Sequence, residues 1–341
     1  MINVGLVGYG LAGSVFHAPL IGSVPQLRLS KVVTSRRDQI ATDLPGVAAV
    51  PDIGDVLADP FIDLLVIASP TANHFEHARA ALHAGKHVVV DKPFATTARE
   101  ADELLALAES QGLILTVFQN RRWDGDYLTA CHSIEQGWQG KVFHYETHFD
   151  RFRPQIKAGW REEPKPGSGI LYDLGAHLID QSLHLFGMPR AVTADIIAQR
   201  AGAKVEDYFH LVLDYAPLRV ILHSATLVPH PGPRFTVHGD GGSFLKYGLD
   251  GQEDALKQGL RPGDQQWGAD QPEYYGELTP AGGTSRKVET LRGGYEKYYE
   301  LLAACLLTGS PPPVDARDSR NGLVVIEAAQ RSAAERRTIE I

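Results

Sequence analysis

Asp173 and His177 stand four residues apart, behind a glycine-rich lead-in, Gly167-Ser168-Gly169. On a helix that spacing puts a carboxylate and an imidazole on one face. An imidazole titrates near neutral pH and suits proton transfer to or from a hydroxyl. Asp173 can orient the ring or bind a neighbouring hydroxyl, and Asp180, three residues further on, can support it. A second group is Asp91-Lys92-Pro93, directly after the apolar run 87–90. A lysine there can hold a hydroxyl or carbonyl oxygen by charge, and partial burial would bring its pKa toward values useful for proton relay. Pro93 fixes the backbone beside it and is a candidate for a cis bond. Each group also has a plainer meaning: Asp-x-x-x-His is commonly a solvated helix face, and a strand-end lysine commonly a solvated charge.

The element that tips the balance is at the start of the chain. Residues 2–7 form a short apolar run, and Gly8, Gly10 and Gly13 follow it in the spacing G-x-G-x-x-G, with Leu11 and Ala12 between. The first glycine permits a tight turn, the second lets the backbone approach a pyrophosphate, and the third lets the next helix, expected over 14–23, lie close to the sheet. Free N–H groups at that helix start favour phosphate. The motif means little alone and much more between a strand and a helix. A second strand, 28–34, should end at the adenosine ribose, where NAD enzymes usually place an acid. Here Ser35-Arg36-Arg37 follows, with Ser35 22 residues beyond Gly13. A hydroxyl and two guanidinium groups suit a 2′-phosphate, so NADP(H) is expected over NAD(H). Asp38 comes too late to replace the missing acid.

Further short apolar runs at 64–68, 87–90 and 114–118 alternate with helical patterns at 71–84 and 97–111. Continuous apolar runs suit strands covered on both faces. Thr97 and Glu100 form a capping-box signature, and Gly85 and Gly112 sit where helix C-caps belong. This is a doubly wound parallel Rossmann sheet with its crevice at the strands' C-terminal ends. The residues just past those ends are therefore site candidates: Ser69, Pro70, Thr71 and His74 for the cofactor ribose, and Asn120 and Arg121 for the nicotinamide side. Beyond residue 122 the pattern changes to alternating runs at 141–149, 191–199, 208–215, 219–228, 234–238 and 243–246. These predict a second, mostly antiparallel open sheet in an α+β domain. The expected division is 1–121 for the dinucleotide domain and 122–341 for the substrate and oligomerisation domain, with the last helix packing back on the first. The Gly- and Pro-rich segment 248–294 reads as a long excursion at the surface or in an interface.

Composition narrows the classes. The 341 residues are 43% hydrophobic and 22% charged with a net charge of −8, which argues against disorder and against a nucleic-acid footprint. No run of 18 apolar residues suggests a membrane span. The start lacks a secretory pattern and Cys131 and Cys305 are far apart, so a cytoplasmic location is expected. No metal site is read: His74, His77, His83 and His87 have no carboxylate or cysteine at ligand spacing.

Together, Gly8-x-Gly10-x-x-Gly13, Asp91-Lys92-Pro93 and the 167–177 segment resemble the motifs of the Gfo/Idh/MocA oxidoreductases, in the family's order and over essentially the whole chain. The resemblance implies Lys92, Asp173 and His177 as the catalytic set, His177 as acid/base, and a homodimer or homotetramer formed through the C-terminal sheet. Asp91 stands where the family usually has Glu, and Ser168 where it usually has Gly. Phe16-His17-Ala18-Pro19, 120–124 and 148–154 resemble a narrower branch that includes NADP-dependent scyllo-inositol dehydrogenases. That branch implies a small polyhydroxylated ring as substrate. Trp160 and Arg161 resemble a position near the nicotinamide, and Tyr172 is a further substrate candidate. The expected reaction interconverts a secondary alcohol and a ketone on a cyclitol or sugar. The alternatives are an aldose, glucoside or dihydrodiol dehydrogenase using the same triad, or a catalytically silent dinucleotide sensor.

Overall fold

Apolar runs too short for helices become the strands of the first sheet. These are β1 (Ile2–Val7), β2 (Leu27–Val33), β3 (Ala48–Val50), β4 (Leu64–Ile67), β5 (His87–Asp91) and β6 (Leu115–Phe118). They pair in the order β3-β2-β1-β4-β5-β6, and every pairing is parallel. This is the dinucleotide-binding order, and its switch point lies between β1 and β4. The computed structural model describes all 341 residues. β4 is buried along its whole length, as a strand with helices on both faces should be.

The chain divides into two compact units: Met1–Asn120 with Gln252–Trp267 and Tyr295–Arg320, and Arg121–Gly251 with Gly268–Gly294 and Asn321–Ile341. Arg121, counted with the first domain by sequence, groups with the second unit. The helix Glu296–Thr308 belongs to the first. There Tyr298 donates to the Thr116 hydroxyl at 3.2 Å, and Thr116 donates to the Val314 carbonyl at 2.8 Å. The last helix, Ala316–Glu335, passes from the first unit to the second after Arg320.

The second unit holds nine strands: β7 (Val142–His148), β8 (Ala191–Ile197), β9 (Tyr208–Asp214), β10 (Arg219–Ala225), β11 (Phe235–Gly239), β12 (Gly242–Lys246), β13 (Gly276–Pro280), β14 (Arg286–Val288) and β15 (Ile339–Glu340). Their order is β14-β13-β12-β11-β7-β10-β9-β8-β15. Only β7 and β10 pair in parallel. Burial alternates along the strands: Tyr145, Thr147, Val220, Leu222, Phe209 and Leu211 are fully buried on one face, while His144, Glu146, His148, His210 and His223 on the other are half-buried. No helix of the protein is long and apolar enough to cross a membrane.

Two expectations need correction. The 248–294 segment is not a plain excursion: it supplies β13 and β14, which extend the second sheet, while Gln252–Trp267 joins the first unit. Strand edges are built from backbone hydrogen bonds, so Gly276 and Pro280 hid the pattern; Gly276 lies tight against the Phe244 ring. The first helix is also not continuous over 14–23. A π-helical turn, Ala12–His17, precedes an α-helix, Ala18–Gly22. Pro19 in the first turn of that α-helix has no N–H, and its fixed φ suits a helix start.

The capping expectation can be tested directly. The Thr97 hydroxyl accepts from the Glu100 N–H at 3.1 Å, and Gly112 closes the helix Ala98–Gln111 in the left-handed region. Glu100 reaches back one residue further than the usual box, accepting from the Thr96 N–H at 2.9 Å. Thr97→Ala should cost about 1 kcal/mol of stability, read as a lower urea midpoint at unchanged slope.

Candidate active site

The dinucleotide loop is built from what side chains cannot do there. Gly8 has φ +99°, and a Cβ on it would meet the Ala68 carbonyl oxygen at 2.6 Å. A Cβ on Gly13 would collide with the Gly8 carbonyl oxygen. A Cβ on Gly10 would meet nothing within 4 Å, so the loop offers open space where a pyrophosphate would approach. Leu11 and Ala12 lead directly into the π turn, and the Ser14 N–H donates to the Gly10 carbonyl at 2.9 Å. Beyond β2, Ser35, Arg36 and Arg37 are all exposed. The Arg36 guanidinium donates to the Tyr9 carbonyl at 3.1 Å, which holds it beside the glycine loop. Burial, with Asp43 nearby, pushes the Tyr9 phenol up to about 12. The glycine loop fits the pyrophosphate of a nicotinamide dinucleotide.

At the end of β4, Thr71 opens a 3-10 turn, Thr71–Asn73, preceded by Ser69 and Pro70. His74 is 1% exposed, and its two ring nitrogens lie 2.8 Å from the Pro93 carbonyl and 2.9 Å from the Ser69 carbonyl. Burial pushes its pKa down, opposed by Asp91 and by those carbonyls. His74 therefore ties the loop after β4 to the loop after β5. It is a brace as well as a ribose candidate.

Lys92 follows β5, and the Lys92–Pro93 peptide is cis. Its neighbour Asp91 lies 3.5 Å from His17 Nε2, and His17 Nδ1 is 2.6 Å from the Tyr299 hydroxyl. Burial disfavours the Asp91 carboxylate, but the His17 imidazole and the Lys92 charge outweigh it and hold its pKa below the usual range. This Asp91–His17–Tyr299 chain was not read from sequence. Phe16-His17-Ala18-Pro19 marks His17, but a link across 282 residues leaves no local signal.

In the second unit, the glycine lead-in ends in a second π turn, Leu171–Gly175, followed by the α-helix Ala176–Phe186. The Asp173–His177 step therefore crosses from π to α winding and is not the plain α-helical pair expected. Single π turns recur at functional sites. His177 is 4% and Tyr172 7% exposed. Asp173 lies 3.3 Å from Arg161 Nε, and the Arg161 guanidinium stacks 4.5 Å from the Trp160 ring. A 260 Å³ cavity is walled by Trp160, Arg161, Asp173, Arg153, Arg200 and Glu206, among others. Neither Tyr172 nor His177 forms part of that wall.

Glu206 is a second residue missed by sequence. Its carbonyl accepts from the Ile170 N–H at 3.1 Å, and Gly169 passes so close that a Cβ there would collide with its carboxylate. Burial pushes its pKa up. Asp180 engages Arg122 through two bonds, Nε to Oδ2 and Nη2 to Oδ1, each 2.8 Å. Arg121 stacks 4.8 Å from Phe149 and lies 3.4 Å from Asp124, so its guanidinium is engaged within the second unit. Asn120, 5% exposed, belongs to the first.

Comparison with known proteins agrees with this architecture. Residues 2–119 match the model of the oxidoreductase family's NAD-binding Rossmann fold, and residues 132–341 match its C-terminal alpha/beta domain. The chain is 46% identical over 341 residues to scyllo-inositol 2-dehydrogenase (NADP(+)) IolW of Bacillus subtilis, covering 99% of this chain and 95% of that protein. It is also 46% identical to the uncharacterized oxidoreductase YdgJ of Escherichia coli, covering 99% and 98%. The solved oxidoreductase YvaA of Bacillus subtilis superposes with a TM-score of 0.97 at 45% identity, over 100% of this chain and 98% of that one. The chain therefore belongs to the Gfo/Idh/MocA family and is a nicotinamide-dependent dehydrogenase.

Proposed function

We propose that the protein is an NADP(H)-dependent dehydrogenase of a polyhydroxylated ring, interconverting a secondary alcohol and its ketone on a cyclitol such as scyllo-inositol. The observation that carries the cofactor half is the Arg36 contact to the Tyr9 carbonyl, with Ser35 and Arg37 exposed alongside. No carboxylate precedes them after β2. The substrate half is supported by the cavity at Trp160, Arg161 and Asp173, whose walls carry charged side chains able to bind hydroxyls, and by the inositol activity named for the 46% identical relative.

In this reading Lys92 holds the substrate oxygen and stabilises its negative charge as the C–O bond gains or loses double-bond character. His177 takes the hydroxyl proton during oxidation and returns it during reduction. Asp173 orients the ring or binds an adjacent hydroxyl. A bound nicotinamide supplies the two-electron hydride acceptor or donor.

The test is a panel of cyclitols and sugars run with NADP⁺ and NAD⁺ in parallel, following reduced-cofactor absorbance. Turnover of a cyclitol with NADP⁺ preferred is expected. A preference for NAD⁺ would remove the cofactor assignment, and tight NADPH binding with no turnover of any polyol would point to the silent sensor. Turnover confined to aldoses, glucosides or dihydrodiols would move the substrate while keeping the chemistry. Arg36→Ala with Arg37→Ala should reduce the NADP⁺ over NAD⁺ preference by about tenfold or more, since one hydrogen bond to a charged group is worth about 1.5–3 kcal/mol.

A further inference from the structure

The open face of the second sheet carries a cluster that the dehydrogenase reading leaves unused. His148 ends β7, and Asp150 follows two residues later on the same face. His223 on β10 pairs in register with His148, so the two rings lie side by side with centroids 4.7 Å apart. The three ligand atoms all lie within 4.8 Å of one another. His148 Nδ1 is 3.0 Å from Asp150 Oδ2, and His223 Nδ1 is 2.9 Å from Asp150 Oδ1.

His148 is held from both sides, with Nε2 2.7 Å from Glu146 Oε1 and Nδ1 3.0 Å from Asp150 Oδ2. In the tautomer that donates from Nε2 to Glu146, Nδ1 is left with a lone pair on the Asp150 side, free to bind a cation. His223 Nδ1 is buried and makes no hydrogen bond, despite its short distance to Asp150. Neither Glu146 nor Asp150 has a lysine or arginine partner; the ionic partners of both are histidines. Two carboxylates and two inward-facing nitrogens thus converge with no lysine or arginine paired to either acid. The Asp150 side chain is 4% exposed, so the point of convergence is largely shielded from solvent.

We infer that His148, Asp150 and His223 form a binding site for a divalent d-block cation of the Zn²⁺ class, with Glu146 orienting His148 from behind. Two imidazoles and one carboxylate suit that metal class, and the three leave a fourth position for water. A tetrahedral site with bonds of about 2.1 Å needs donors about 3.4 Å apart. The two His–Asp spacings are already near that, and only the two rings must draw together. The Glu146–His148 hydrogen bond is the carboxylate–histidine–metal relation that fixes the metal-binding tautomer. Sequence spacing hides the site, because His223 stands far along the chain from His148 and Asp150.

The experiment uses the untagged full chain, stripped with chelator and dialysed against Zn²⁺, with bound metal counted by mass spectrometry and affinity measured by calorimetry. One Zn²⁺ per chain is expected, with the thermal midpoint raised by the metal. His148→Ala, His223→Ala and Asp150→Asn should each weaken binding at least about tenfold, and Glu146→Gln about 10–100-fold. His238→Ala, on the same face outside the trio, should bind as wild type. Circular dichroism of each metal-free variant checks folding, and the four site variants together cover the loss of any one. Absence of saturable Zn²⁺ binding, or wild-type affinity in the folded site variants, overturns the assignment. So does loss of binding in His238→Ala alone.

Discussion

His177→Ala and Lys92→Ala should each lower kcat by about 10²–10⁴-fold, the usual contribution of a positioned general acid–base group. Binding of NADPH, followed by fluorescence, should persist in His177→Ala, because the glycine loop and the residues after β2 lie in the other unit of the chain. The two variants should differ in their pH profiles. Removing His177 should flatten the limb of the kcat profile that reports deprotonation of the base. Lys92→Arg keeps the charge but replaces a point-like ammonium with a planar fork, so it should recover only part of the activity. Asp173→Asn should fall between wild type and His177→Ala if Asp173 orients the ring. Wild-type turnover in both alanine variants would remove the proposed roles and leave only the family's chemistry.

The second large effect concerns stability. The Arg122 and Asp180 side chains are 8% and 4% exposed and meet through two parallel bonds. Removing Asp180 takes two charge-assisted bonds from a buried guanidinium, and breaking a buried pair of this kind costs about 3–5 kcal/mol. A folded domain has only about 5–15 kcal/mol to lose. Asp180→Ala should therefore unfold at a much lower denaturant concentration. Replacing both residues by apolar ones of similar size should restore much of the loss, because two desolvated charges disappear together. A midpoint for Asp180→Ala within error of wild type would show that the pair contributes little. Asp180 lies on the same helix as His177, so a structural failure there also carries into the proton-transfer group. Comparison at temperatures where both proteins are folded separates the two effects.

What could be read in advance follows the range of the forces involved. The glycine loop was legible because each glycine answers a local demand, a positive φ at Gly8 or a close approach at Gly13. β1, β4, β5 and β6 were legible because burial on both faces writes continuous apolar runs, whereas the three-residue, partly exposed edge strand β3 was not read. The helix start at Thr97 was legible because capping is settled within four residues. The π turns at Ala12–His17 and Leu171–Gly175 were not, since the i→i+5 winding has no composition of its own. β13 and β14 were missed because edge pairing uses backbone groups that every residue carries.

Residue type and short-range spacing by themselves determined the dinucleotide fold, the lack of an acid after the second strand, and the candidates Lys92, Asp173 and His177. Only the tertiary structure decided which carboxylates those groups and their neighbours meet: Asp91 with His17 and Tyr299, Asp180 with Arg122, and Asp150 with His148 and His223. Chemical identity is a local property of one side chain. The partner that sets its charge and orientation arrives from a distant part of the chain, through packing that no short window of residues encodes.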